Sequence, residues 1–156
     1  MKTIRLFPLE LCRLLQSRFT WLMIGLSVLS PVIGLILYKP AAASTMLSMY
    51  LANPAIAGGI AGSVLFGTLT VFELDRAVRS RVDVLIDSTV SPLCMALVRL
   101  LAMMVGTLIT LGLTMLVWLP ISKWLIGAVF GIVDYVLAYL ILMGLAMPLG
   151  ILVAAA

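Results

Sequence analysis

Residues 54–81 read PAIAGGIAGSVLFGTLTVFELDRAVRSR. The first nineteen, Pro54 to Phe72, carry no charged side chain, and the next nine, Glu73 to Arg81, carry five. A helix rises about 1.5 Å per residue and the hydrocarbon core of a bilayer is about 30 Å thick, so about 20 apolar residues make one crossing. The stretch therefore reads as a membrane span that ends abruptly in a water-facing segment. Three other stretches qualify by the same measure: Phe19 to Tyr38, Leu100 to Leu119 and Val133 to Val153. The expected fold is all-α, a polytopic transmembrane helix bundle of four spans forming one domain over residues 1–156.

The whole chain agrees with this reading. It is 64% hydrophobic and 10% charged, with a mean hydropathy of +1.29, whereas a soluble domain is roughly half apolar and a quarter charged. The net charge of +4 does not point to nucleic acid, because the Lys and Arg residues sit at the edges of apolar runs and form no patch interleaved with aromatics. They read as topology signals. Eight of them (Lys2, Arg5, Arg13, Arg18, Arg76, Arg79, Arg81 and Arg99) fall on one side of the four spans, and only Lys39 and Lys123 on the other. Positive residues accumulate on the cytoplasmic side, so the expectation is a multi-pass protein of the cell (inner or plasma) membrane with its N-terminus and the 73–99 segment in the cytosol. Tyr38, Tyr50, Trp118 and Trp124 would then lie at the outer interface and Trp21 at the inner one.

Arg13, Arg18 and Glu10 interrupt any early apolar run, so no cleavable signal peptide is expected. Pro8 to Arg18 carries Glu10, Arg13 and Ser17 at i, i+3, i+7 with leucines around the rest, and Pro8 suits a first helical position. This pattern fits a helix lying in the interface plane, leucines toward the acyl boundary and charges toward water; a simple inward extension of the first span is the alternative. Pro31 and Pro148 are expected to kink the first and last spans.

Past Phe72, Leu74, Val78, Val82 and Leu85 or Ile86 recur at helical spacing, and Asp75 with Arg79 forms an acid-before-base i, i+4 pair. A short amphipathic cytosolic helix is expected over 75–86. Ser91 and Pro92 suit an N-cap and first turn for the third span, which would carry Arg99 snorkelling to the interface.

Within the spans, Gly58 and Gly62 form a small-xxx-small pair, extended by Ala55, Gly59 and Ser63, that lets helix backbones approach closely. Packing inside the chain is favoured over a dedicated dimer face. Thr107, Thr110 and Thr114, at i, i+3, i+7, either line a polar path or bond back to their own helix carbonyls, the second being favoured. Asp134 has two placements. At the start of a span beginning near Val133 it is interfacial; in a span beginning at Trp124 it is about 15 Å deep and a candidate proton or cation site. A last span from Trp124 to Val153 would be too long untilted, which favours the interface.

Much chemistry is excluded. The chain has no His, which removes imidazole catalysis and the commonest metal ligand. It has no G-x-x-x-x-G-K-[ST] phosphate loop and no paired Asp or Ser/Lys set in the spans. No enzyme activity and no cofactor are expected. Cys12 and Cys94 both fall on the cytosolic side, where thiols stay reduced.

The run ELCRLLQSRFTWL, the second span ending in FELDRAVRSR, and DVLIDSTVSPLCMALVRLLA leading into the third span together resemble a type 2 ABC-transporter permease. In that family an N-terminal amphipathic elbow helix precedes the first span, the second span continues into a cytosolic coupling helix, and a small-residue-Pro turn opens the third. Glu73, the Asp75 to Ile86 segment and Ser91-Pro92 fall on those features. The resemblance implies a membrane subunit that pairs with a separate ABC ATPase subunit, with a second permease copy or a homologous permease beside it, and that exports a hydrophobic or amphipathic substrate. ATP would bind the partner, not this chain. Asp75, Arg76, Val78, Arg79, Arg81, Val82, Leu85 and Ile86 would form the docking helix, with Val78, Val82 and Leu85 as anchors and arginines at the rim. Such permeases commonly have six spans, and this chain stops at ILVAAA without a charged flank, so the 156 residues are expected to be a four-span domain or the N-terminal part of a longer one. Two other readings remain: a non-transporting subunit that anchors a larger complex through its small-residue faces, and a compact proton-coupled exporter using Asp134.

Overall fold

The computed structural model describes residues 2–37, 46–79, 92–127 and 131–156. Their elements are helices: α1 (Lys2–Gln16), α2 (Arg18–Leu29), α3 (Pro31–Leu37), α4 (Met46–Arg79), α5 (Pro92–Ile126), α6 (Ile132–Ala138), a π turn (Tyr139–Met143) and α7 (Gly144–Ala155). Four stretches are long and apolar enough to cross a membrane: Arg18–Leu37, Tyr50–Arg76, Cys94–Ile126 and Ile132–Ala155. The protein is a membrane-embedded all-α bundle. Its outer surface is correspondingly apolar, with Leu26, Ile33, Ile60, Val64, Leu108, Leu116, Leu140 and Leu149 all exposed, far beyond what a soluble monomer tolerates.

The helices run past the apolar stretches that announce them. α4 has 34 residues and α5 has 35, or about 50 Å each at 1.5 Å per residue, against a hydrocarbon core of about 30 Å. Backbone hydrogen bonding does not stop where hydropathy does, and the charged side chains at one end of α4 and α5 find partners across the bundle. α5 begins on Pro92, whose missing N–H would be unused in a first turn in any case.

The N-terminal segment is a separate helix and not an extension of the first span. Ser17 takes an extended conformation (φ −73°, ψ 123°) between α1 and α2. α1 starts at Lys2, earlier than expected, so Pro8 lies inside it. Its stripe also points the other way. Glu10 is buried, while Leu9, Cys12 and Gln16 are exposed, so the polar side of α1 meets the bundle instead of water. The reason is that α4 and α5 supply countercharges there.

The first span bends at Ser30–Pro31, between α2 and α3. Pro31 has no N–H to give the Ser27 carbonyl four residues back. The Ser30 hydroxyl donates to that oxygen at 2.7 Å instead. One residue on, the Val28 carbonyl accepts from Trp118 Nε1 at 2.8 Å. Trp118, expected at the outer interface, is buried as the tie between α2 and α5; Trp124 is the exposed tryptophan of α5.

The last span departs from α geometry at the π turn, upstream of Pro148. Tyr135, Tyr139, Met143, Met147 and Ile151 are all fully buried and recur every fourth residue. In an ideal α-helix a four-residue step overshoots a full turn by about 40°, and four such steps would carry the row about 160° off its face. A π bulge adds a residue locally and takes back about 100° of that drift. The row can therefore stay against α4 over its length. There the two backbones approach closely: a Cβ on Gly59 would lie 2.6 Å from the Leu142 carbonyl oxygen, and one on Gly150 would fall on the Ser63 backbone.

Candidate functional site

At one end of the bundle α1, α4 and α5 bring five charged side chains together. Arg13 Nη2 lies 3.1 Å from Glu10 Oε2 and 3.0 Å from Glu73 Oε2, so one guanidinium bridges a carboxylate on its own helix and one on α4. Glu73 Oε1 is 3.6 Å from Arg76 Nη1, one turn further along α4. Glu10 Oε1 is 3.8 Å from Arg99 Nε on α5. Both carboxylates are buried, Glu73 at 3% exposure and Glu10 at 9%. Arg13 is half-buried and Arg76 is turned outward.

Each member of the cluster has a helical cause. Glu10 and Arg13 are i, i+3 on the inner stripe of α1, and Glu73 and Arg76 are i, i+3 on α4, the spacing at which helical side chains meet. Arg99 sits two turns inside α5, and its side chain is only 12% exposed. It turns inward to Glu10 and does not snorkel outward. A charge at the boundary of apolar spans is stabilised when another charge answers it, and Glu10 supplies that answer from α1. Beside the cluster is a cavity of about 200 Å³ lined by Glu10, Arg13, Glu73 and Arg99 and by Leu14, Leu100 and Met103.

Comparisons with family models, with curated proteins and with solved structures found no match.

Of the expected docking residues, Asp75 and Arg76 are exposed on the last turns of α4. Val78 and Arg79 belong to the same helix, though their side chains fall outside the described set, and Arg81, Val82, Leu85 and Ile86 lie outside the described residues. From Glu73 to Arg79 the chain continues α4 without a break.

Gly58 and Gly62 face the last span. A Cβ on Gly58 would lie 3.2 Å from Met143 Sδ, and one on Gly62 2.7 Å from Met147 Cε. Gly150 makes the closest approach of this contact, and sequence reasoning missed it. The signal was available as Ala146, Gly150 and Ala154, a second small-xxx-small series facing the first.

Thr107, Thr110 and Thr114 share the buried face of α5. Their hydroxyls donate to the carbonyls of Met104, Gly106 and Thr110 at 2.7, 2.8 and 2.7 Å. With each proton spent on its own helix, the three offer a passing solute no donors.

Asp134 stands exposed in the first turn of α6. An acidic residue is favourable there, near the positive end of the helix dipole. Asp134→Asn is expected to change stability by no more than about 0.5 kcal/mol, as for other surface substitutions. Thermal unfolding in detergent measures this, and a loss of several times that size would place Asp134 in a buried network. Among the described residues no group of His, Cys, Asp and Glu could hold a metal ion.

Proposed function

We propose that this chain is the transmembrane permease subunit of an ATP-driven exporter of the ABC type, which moves a hydrophobic or amphipathic substrate across the cell membrane with a separate ATPase subunit. In this reading the N-terminus and the arginine-rich end of the bundle are cytosolic, where eight Lys and Arg gather.

The observation that carries the reading is the continuity of α4. One helix, Met46–Arg79, holds both the second span and the first turns of the charged segment beyond it. The first of those turns is tied through Glu73 to Arg13 of α1. A force on the segment after Arg79 would thus act on a rigid rod and would reach the N-terminal helix through a half-buried ion pair. An ATPase that closes on binding ATP could tilt the second span this way. The anchoring reading loses support, because the small-residue face it needs is taken up by the last span of the same chain.

Val82→Asp, in the chain purified from its native membrane, tests the proposal. A charge in the centre of an apolar docking patch costs about 2 kcal/mol or more, equivalent to about 30-fold in affinity. An ATPase that co-purifies with the wild-type chain should be lost, or its turnover should fall by a comparable factor. Intact co-purification with unchanged turnover would refute the docking role.

A further inference from the structure

Three of the four spans carry an irregularity in their backbone hydrogen bonding, and the three lie at one depth. The first span turns at Ser30–Pro31, α4 holds Pro54 in its interior, and the last span passes through the π turn Tyr139–Met143. Two glycines show how close they are. A Cβ on Gly58, one turn past Pro54, would lie 3.2 Å from both Pro31 Cγ and Met143 Sδ, and one on Gly34 would lie 2.9 Å from Pro54 Cα. Pro31 and Pro54 have no N–H for the carbonyls four residues back. In the π turn the Gly144 N–H reaches five residues back, to the Tyr139 carbonyl. Prolines and π bulges are where long helices bend.

Polar side chains collect at the same depth. Ser27 Oγ, Asn53 Nδ2 and Tyr139 Oη are buried and meet no hydrogen-bonding group of the protein. Ser27 is the residue whose carbonyl Pro31 cannot serve, Asn53 directly precedes Pro54, and Tyr139 opens the π turn. Burying such groups unpaired costs free energy, so an arrangement that admits water to them recovers part of its own cost.

α5 contains no proline from Leu93 to Leu119, and it is tied to its neighbours on both sides of the irregular level. Trp118 Nε1 holds the Val28 carbonyl of α2, before the Pro31 bend. Tyr135 Oη, in α6 before the π turn, donates to the Met115 carbonyl at 2.8 Å. The first tie fastens the half of the bundle that holds the ion pairs, and the second fastens the end beyond the irregular level.

We infer that the end of the bundle away from the ion pairs is a hinged cap. In it α3, the turns of α4 before Pro54 and α6 swing together about the level of Pro31, Pro54 and the π turn; the Tyr135–Met115 hydrogen bond latches the cap shut, and opening admits water to Ser27 and Tyr139.

The three segments have reason to move as one. α3 packs on α4 at Gly34, and Tyr135 of α6 shares a buried cluster with Leu51 of α4. Bends at separate depths would flex each helix alone, whereas bends at one depth form a single hinge, a few positions that absorb the change for a whole segment. Below that level the backbone contact of α4 with α7 and the Arg13–Glu73 pair hold the rest of the bundle together. The inference rests on the bundle alone and not on whether an ATPase drives it.

Thiol accessibility tests it, on the purified full chain carrying Cys12→Ser and Cys94→Ser. Ser27→Cys, beneath the cap, should react slowly with a charged methanethiosulfonate. Tyr135→Phe, which removes only the latch hydroxyl, should speed that reaction about fivefold, the equilibrium value of one hydrogen bond. Thr107→Cys, buried on α5 toward the ion pairs, should react at a rate that Tyr135→Phe leaves unchanged. Equal acceleration at both sites would mean general loosening, and no acceleration at Ser27→Cys would mean a static bend; either overturns the proposal. Electron–electron resonance distances between nitroxides on exposed positions avoid any buried substitution except the latch. With labels on Ile36→Cys and Leu116→Cys, Tyr135→Phe should add a second distance component, while labels on Leu22→Cys and Leu108→Cys, below the hinge, keep one. A single unchanged distribution for the first pair would overturn the hinge.

Discussion

Glu73→Ala is expected to destabilise the bundle by about 2 kcal/mol, with Glu73→Gln in between. Removing one partner of a fully buried ion pair costs about 3–5 kcal/mol, because the remaining charge is left without an answer. Here the loss is smaller: the Arg13 side chain is 39% exposed and that of Arg76 56%, so both guanidiniums can recover some hydration, and Arg13 keeps Glu10. What cannot be recovered is the link between helices. Glu73 ties α1 to α4 through its 3.0 Å hydrogen bond with Arg13. Gln at this position can still accept that bond but lacks the charge. A double-mutant cycle with Arg13→Ala, read by thermal unfolding in detergent, should give a coupling of about 1–2 kcal/mol. Added salt should change it little, since Glu73 is buried and screening acts mainly on exposed charges. A coupling near zero, or one erased by salt, would reduce the pair to an ordinary surface contact.

Much of the fold can be read from local chemistry. The four spans follow from length and hydropathy, the bend at Pro31 from its missing donor, the start of α5 from Pro92, and the position of Asp134 from the length of the last span. The ion-pair cluster could not be read, although its members stand out. Amphipathic spacing in α1 establishes that Glu10 and Arg13 share a face but not what that face meets. Water is the default partner, and protein replaces it only because Glu73 and Arg99, 60 and 89 residues away in sequence, come to the same place. The same nonlocal logic reverses Arg99, which pairs inward, and Trp118, whose indole finds a carbonyl near the Pro31 bend instead of a headgroup. Between these extremes lies the π turn. The four-residue repeat from Tyr135 to Ile151 is in the sequence and is incompatible with an unbroken α-helix keeping one buried face; reading it required noticing that the period is 4 and not 3.6.

The second large effect tests that last helix pair. Gly150→Ala is expected to destabilise by about 2–3 kcal/mol, within the range for overpacked interiors, although alanine is the better helix former. The new Cβ would fall on the Ser63 backbone, and a backbone held in α4 cannot step aside as a side chain can. Two other glycines separate this steric effect from helix propensity. At Gly62 the obstacle is Met147, with Cε 2.7 Å from the added carbon. That flexible thioether can swing away, so Gly62→Ala should lose about 1 kcal/mol. At Gly112 nothing lies within 4 Å of an added Cβ, and Gly112→Ala should gain up to about 1 kcal/mol from propensity alone. The three alanine variants thus order by what the methyl group meets: backbone, flexible side chain, open space. Their unfolding midpoints in one detergent should fall in that order, with a change of sign at Gly112. Three equal shifts would mean that α4 and α7 are not in backbone contact, and the row from Tyr135 to Ile151 would then need another partner.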